Sequence, residues 1–216
     1  DYVASLDCVS VSACMAVKDL GVIIDPSLSF KAHVNNITRI AFFHLRKIAK
    51  IRNMMSLQDA EKLVHAFVTS RLDYCNALLS GCSSKCINML QLVQNAAARV
   101  LTRSRKYYPC FNQSTLLPIK SRIDYKILLM MYKALNGLAP QYLSELLYQY
   151  DPPRLLRSKG AGYLLVPQIM KTTARDRSFS YKAPHLWNSL SISVQDSDTV
   201  SVFKSRLKTH LFSQVF

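Results

Sequence analysis

From Ser29 onward the apolar positions fall into a helical rhythm. Phe30, Val34, Ile37, Ala41, Leu45 and Ile48 recur every three or four residues, which draws one stripe along a helix. The other face is basic, with Lys31, Arg39, Arg46, Lys47, Lys50 and Arg52, and no acidic residue stands between Pro26 and Gln58. Ahead of this helix, residues 1–25 alternate Val with Ser and Ala and close on Leu20-Gly21-Val22-Ile23-Ile24. A short strand is expected there, stopped by a turn at Asp25-Pro26.

Ser56-Leu57-Gln58-Asp59 announces a second helix: the serine can cap free N–H groups and the aspartate favours the positive helix end. It is predicted to run to about Leu79, ended by Gly81. Leu57, Ala60, Val64, Phe67 and Val68 make one face, and Leu63, Leu72, Tyr74 and Leu78 widen it, which predicts cover on more than one side. A third helix is predicted from Ser84 to about Thr102, with Ile87, Leu90, Val93, Ala97 and Leu101 inward. The pattern breaks at Tyr107-Tyr108-Pro109 and Leu117-Pro118. Ser121-Arg122-Ile123-Asp124 then reads as the capped start of a fourth helix with Ile123, Ile127, Met130, Met131 and Ala134 inward, stopping at Asn136-Gly137. Pro140 starts a short helix through Leu147, and Asp151-Pro152-Pro153 marks a boundary. Residues 154–182 have the character of loops and short strands, and the chain ends in a helix with Val202, Phe203, Leu207 and Leu211 inward. The expected fold is mainly α: a strand remnant at 1–25, a helical bundle at 26–150, and a small basic C-terminal segment at 151–216 with short strands and a final helix.

Half of the 216 residues are apolar, enough for a buried core and too many for a disordered tail. Against 28 Lys and Arg stand 13 Asp and Glu, a net charge of +15, and the usual partner of such a surface is a polyanion. No apolar run reaches the 18 or so residues of a membrane span, and no secretory signal pattern opens the chain, so an intracellular protein, nuclear or cytoplasmic, is expected. A start at Asp1 reads as a fragment. The six cysteines include no pair with the two-residue gap of a zinc knuckle, which favours reduced thiols over a metal site.

Catalytic chemistry is thinly supplied. Two-metal catalysis needs clustered carboxylates, yet only Glu61 and Glu145 occur and no two aspartates are adjacent; Asp196 and Asp198 read as cap residues of the last helix. No Gly-x-Ser-x-Gly elbow and no phosphate-binding Gly-rich loop is present. No catalytic or metal-ligating residue is therefore assigned. The positive signal is basic. Residues 74–123 contain no acid and carry Lys85, Arg99, Arg103, Arg105, Lys106, Lys120 and Arg122, with Tyr107 beside the densest part. On the first helix Arg39, Arg46 and Lys50 flank Phe43. Such residues hold phosphates while aromatic rings stack on bases, so the candidate nucleic-acid-binding set is Arg39, Arg46, Lys50, Arg99, Arg103, Arg105, Lys106 and Tyr107.

Five ordered strings are more specific than periodicity: Leu20-Gly21-Val22-Ile23-Ile24-Asp25-Pro26-Ser27-Leu28-Ser29-Phe30, Arg71-Leu72-Asp73-Tyr74-Cys75-Asn76, Leu92-Val93-Gln94-Asn95-Ala96-Ala97-Ala98-Arg99-Val100, Tyr132-Lys133-Ala134-Leu135-Asn136-Gly137-Leu138-Ala139-Pro140 and Ala183-Pro184-His185-Leu186-Trp187-Asn188-Ser189-Leu190. Together they resemble the carboxy-terminal third of the reverse transcriptase of vertebrate, especially fish, non-LTR retrotransposons of the LINE type. The resemblance implies a palm-edge remnant, a thumb-like bundle that grips an RNA template paired to DNA, and a basic tail. It implies an RNA-directed DNA polymerase whose catalytic aspartates and Mg2+ belong to a palm outside this chain, so no cofactor is expected here. RNA, an RNA–DNA hybrid or DNA is the implied partner. The other reading of the residues is a decaying or domesticated remnant that binds protein or has no activity. Val17 to Arg52 is also similar to a short module assigned to the amino terminus of an alkylation-repair-type tRNA methyltransferase, without any catalytic residue.

Overall fold

The computed structural model describes the backbone of residues 3–6, 9–12, 15–104, 117–150, 163–168 and 177–215, with side chains from residue 15 onward. The described chain is mainly helical. It packs into two compact units, Asp1–Leu72 with Cys82–Lys106 (unit 1) and Asp73–Gly81 with Tyr107–Phe216 (unit 2). Composition shifts near 25 and 150 divide the sequence, whereas packing divides the chain at 72/73, 81/82 and 106/107.

Unit 1 opens with two antiparallel hairpins where one strand was expected. β1 (Val3–Leu6) pairs with β2 (Val9–Ser12), and β3 (Val17–Asp19) pairs with β4 (Val22–Ile24), Asp19 opposite Val22. The second hairpin exists because Leu20 and Gly21 both take positive φ, 44° and 84°, a two-residue turn whose twist matches that of the strands. The turn thus falls inside the segment read as a strand. The stop at Asp25-Pro26 is a hydrogen-bonded staple: the Asp25 carboxylate accepts from the Ser27 hydroxyl at 2.5 Å and from the backbone N–H of Ser29 and Phe30 at 2.9 and 2.8 Å. These bonds, Ser27 foremost, hold the Asp25 carboxyl well below the usual carboxylate range.

Helix α1 (Lys31–Ile51) buries the whole predicted stripe, Phe30 included. His33 is buried with it, and its Nδ1 accepts from the Ile23 N–H at 3.3 Å, tying β4 to the helix. A 3-10 turn, Arg52–Met54, leads to α2 (Leu57–Val64), whose Ser56 cap accepts from the Asp59 N–H as the sequence predicts. The second helix does not continue regularly to Leu79. It passes through a π turn (His65–Thr69) into α3 (Ser70–Asp73), Cys75 turns left-handed at φ 51°, and Asn76–Leu79 forms a 3-10 turn. Nor is it covered on several sides. Ala60, Val64, Val68 and Leu72 are buried, while Leu57, Phe67, Tyr74 and Leu78 are exposed. The widened turn accounts for Phe67, since an extra residue per turn shifts the register, whereas Tyr74 and Leu78 lie beyond the end of α3.

Helix α4 (Ser84–Thr102) has the predicted bounds, and it runs parallel to α1. At one end the Cys82 thiol donates to the Ser29 carbonyl; at the other the Arg52 guanidinium donates to the carbonyls of Val100 (3.2 Å), Leu101 (2.8 Å) and Met55 (3.0 Å). Both helices therefore end at one place, where their unpaired carbonyls and negative dipole ends meet the cation that satisfies them.

In unit 2, α5 (Ile119–Leu135) starts after Pro118, so Ser121 lies within the helix and is not its cap. Proline fixes the entry, and the Arg122 N–H already bonds to the Pro118 carbonyl at 2.9 Å. The inner face takes Ile119, Ile123, Ile127, Met131 and Ala134, with Met130 turned outward. The helix stops at Asn136-Gly137 as predicted, with Gly137 at φ 66°. Helix α6 (Gln141–Ser144) is shorter than expected, and Gln149 pairs with Leu164 as an isolated bridge. Most of 154–182 lies outside the described residues. Helix α7 (Phe179–Asn188) begins within that stretch, its Asn188 amide both donating to and accepting from the Leu164 backbone. After α8 (Ile192–Gln195), α9 (Val200–Ser213) is capped by Thr199, which accepts from the Val202 N–H; neither Asp196 nor Asp198 takes that role. Val202, expected inward, is exposed, and the core forms where Phe203 stacks on Tyr132 at 4.2 Å with Trp187 buried beside it at 6.0 Å.

Candidate nucleic-acid interface

The exposed face of α1 carries Arg39, Phe43, Arg46, Lys47 and Lys50, spaced so that they line one side of the helix. Nothing acidic occurs anywhere on it. Arg39 donates to the Asn36 side-chain oxygen at 3.2 Å and Arg46 to the Phe42 carbonyl at 3.3 Å, so both guanidinium groups lie along the helix. The Lys47 ammonium sits 4.5 Å above the Phe43 ring. Phe43 meets His44 edge-on at 5.4 Å, and His44 stacks on Phe67 of the π turn at 5.1 Å, 19° from parallel. Phe43 and Phe67 remain 47% and 41% exposed, large values for rings that could have been buried. The result is a row of aromatic faces flanked by four cations, an arrangement that can hold phosphates and stack an unpaired base together.

The structure brings Arg39, Arg46 and Lys50 of the predicted set together on this face. Arg99 is half-buried in the last turn of α4. Arg103, left-handed at φ 53°, donates to the Arg52 carbonyl at 3.0 Å, so it braces the joined ends of α1 and α4. Arg105, Lys106 and Tyr107 lie outside the described residues. Sequence reasoning left out Lys47, His44 and Phe67. Lys47 was legible, four residues from Phe43; Phe67 was not, because helical spacing places it inward.

Two aspartates are paired away from this face. Asp59 pairs with Ser56 at 2.7 Å and Lys62 at 3.3 Å, and Asp73 with Arg122. Burial pushes the Asp124 carboxyl up, opposed by Lys182 and Lys120. Among the described residues no three His, Cys, Asp or Glu side chains gather to hold a metal. A groove beside α8 and α9 gathers Ser193, Ser205, Asp196 and His210. His210 Nε2 there lies 3.0 Å from the Gln214 amide.

No family model, curated protein or solved structure matches this chain. The functional reading therefore rests on the residues themselves. Among the described residues no helix is long and apolar enough to cross a membrane.

Proposed function

We propose that this chain binds nucleic acid along α1, as the thumb-side portion of a LINE-type RNA-directed DNA polymerase that grips the template–primer and supplies no catalytic carboxylate. The observation that carries the binding is the acid-free exposed face of α1, where Arg39, Arg46, Lys47 and Lys50 surround the exposed Phe43. Phosphate contacts of this kind give affinity and position without reading sequence. The polymerase assignment rests on the five strings that resemble that family.

Fluorescence anisotropy with an RNA–DNA hybrid tests the binding. With about four phosphates neutralised by the four cations of this face, affinity falls about a hundredfold between about 50 and 200 mM salt. The triple variant R39A/R46A/K50A is expected to flatten the slope of log affinity against log salt by about 2.7. Binding that ignores both salt and these substitutions overturns the reading.

A second reading is favoured by one observation. Unit 2 exposes Leu138, Tyr142, Leu146, Tyr148 and Leu165 around α6 and the Gln149–Leu164 bridge, a patch suited to a protein partner. Light scattering separates the readings: association that resists salt supports the protein-interaction reading, and a monodisperse chain supports the nucleic-acid one.

A further inference from the structure

Unit 2 contains a cleft of about 250 Å³ lined by Asp73, Asn76, Arg122, Tyr125, Lys126 and Lys208. Arg122 decides its character. One arm of its guanidinium pairs with the Asp73 carboxylate, while Nη1 is buried with no hydrogen-bond partner among the described residues. A buried cationic N–H without an acceptor is costly, and native structures rarely leave one. Asp73 is also approached by the Asn76 amide at 3.5 Å, so its charge is already shared. Two exposed ammonium groups, Lys126 from α5 and Lys208 from α9, complete the lining. Three cations thus stand against one carboxylate around a space that admits an oxyanion with room to spare. Burial pushes the Tyr125 phenol up, so its O–H remains a donor at neutral pH.

We propose that this cleft binds a phosphate group, its charge met by the Arg122 guanidinium together with Lys126 and Lys208. A guanidinium presents fixed donors to such an oxyanion, and ammonium groups add point charge at the mouth. The site lies in unit 2 and does not depend on the α1 face. The phosphate belongs either to a nucleic-acid backbone or to a free phosphate or nucleotide.

The test uses the full chain and inorganic phosphate at ionic strength matched with chloride. Phosphate is expected to raise the melting temperature of the unsubstituted chain. K126A/K208A, which removes only exposed side chains, is expected to melt as the parent does in chloride and to bind phosphate at least about tenfold more weakly. K204A, an exposed lysine on α9 outside the cleft, keeps the full response. No shift in the parent, or an equal shift in K126A/K208A, overturns the proposal. Once the shift is assigned, competition between phosphate and a single-stranded oligonucleotide identifies a backbone phosphate, and its absence a free phosphate or nucleotide. R39A/R46A/K50A leaves the phosphate response intact, which separates this site from the α1 reading.

Discussion

Arg52 looks in the sequence like one more cation on the basic face of α1, and the structure turns it inward to 7% exposure. Its three carbonyl partners come from Met55, Val100 and Leu101, two of them about fifty residues away, and no local pattern announces them. R52A is expected to lower unfolding stability by about 3 kcal/mol, because charged hydrogen bonds are lost and buried carbonyls are left bare. R52K should recover part of this; urea titration followed by circular dichroism reads both. His33 is the pH-sensitive counterpart. Its Nδ1 must stay unprotonated to accept from Ile23, and burial lowers its pKa from 6.5. The unfolded chain therefore binds this proton more readily, so the stabilisation is complete above pH 6.5 and is lost as pH falls toward the folded value. Melting temperature is expected to drop on acidification from about pH 7.5 to 5.5, and to drop less in H33Q, which keeps an acceptor without the titration.

Amphipathic period is a local property, which is why α1 and α4 were legible almost to their bounds. The second helix shows where that reasoning stops. Its apolar residues fit an α-helical stripe through Phe67, but the π turn lets Val64, Val68 and Leu72 share the inner side at intervals of four and sends Phe67 to His44. The choice is made by packing against α1, not by propensity. Side-chain truncation tells the two apart: F67A is expected to cost less than about 1 kcal/mol, and V68A, from a fully buried site, about 2 kcal/mol. The reverse order would restore the regular helix. F67A should still weaken binding of a single-stranded oligonucleotide, by about 1 kcal/mol or more, since base stacking is what an exposed ring supplies. The same rule explains the helix starts. Ser56 caps through a bond three residues away and was readable, whereas the start of α5 is set by Pro118 and the Arg122–Asp73 pair.

The polypeptide passes between its two units three times, and unit 2 draws Asp73–Gly81 from far upstream of its other residues. That short segment brings the buried Leu79 to α5 and the partner of Arg122. A chain of residues 107–216 is therefore expected to bind a hydrophobic dye and to melt broadly, and a chain in which residues 73–81 are joined to 107–216 by a flexible linker, without α4, to do neither. Sequence composition placed its boundaries elsewhere because it registers loops and charge, while the division into units is drawn by contacts between residues far apart in the chain. The single tryptophan of the molecule, Trp187, lies in unit 2 against Phe203. Its emission is a built-in optical reporter of one half of the protein. Unfolding of the α1–α4 half is read by far-ultraviolet dichroism after subtraction of the transition that fluorescence follows, so each unit can be watched without attaching a dye.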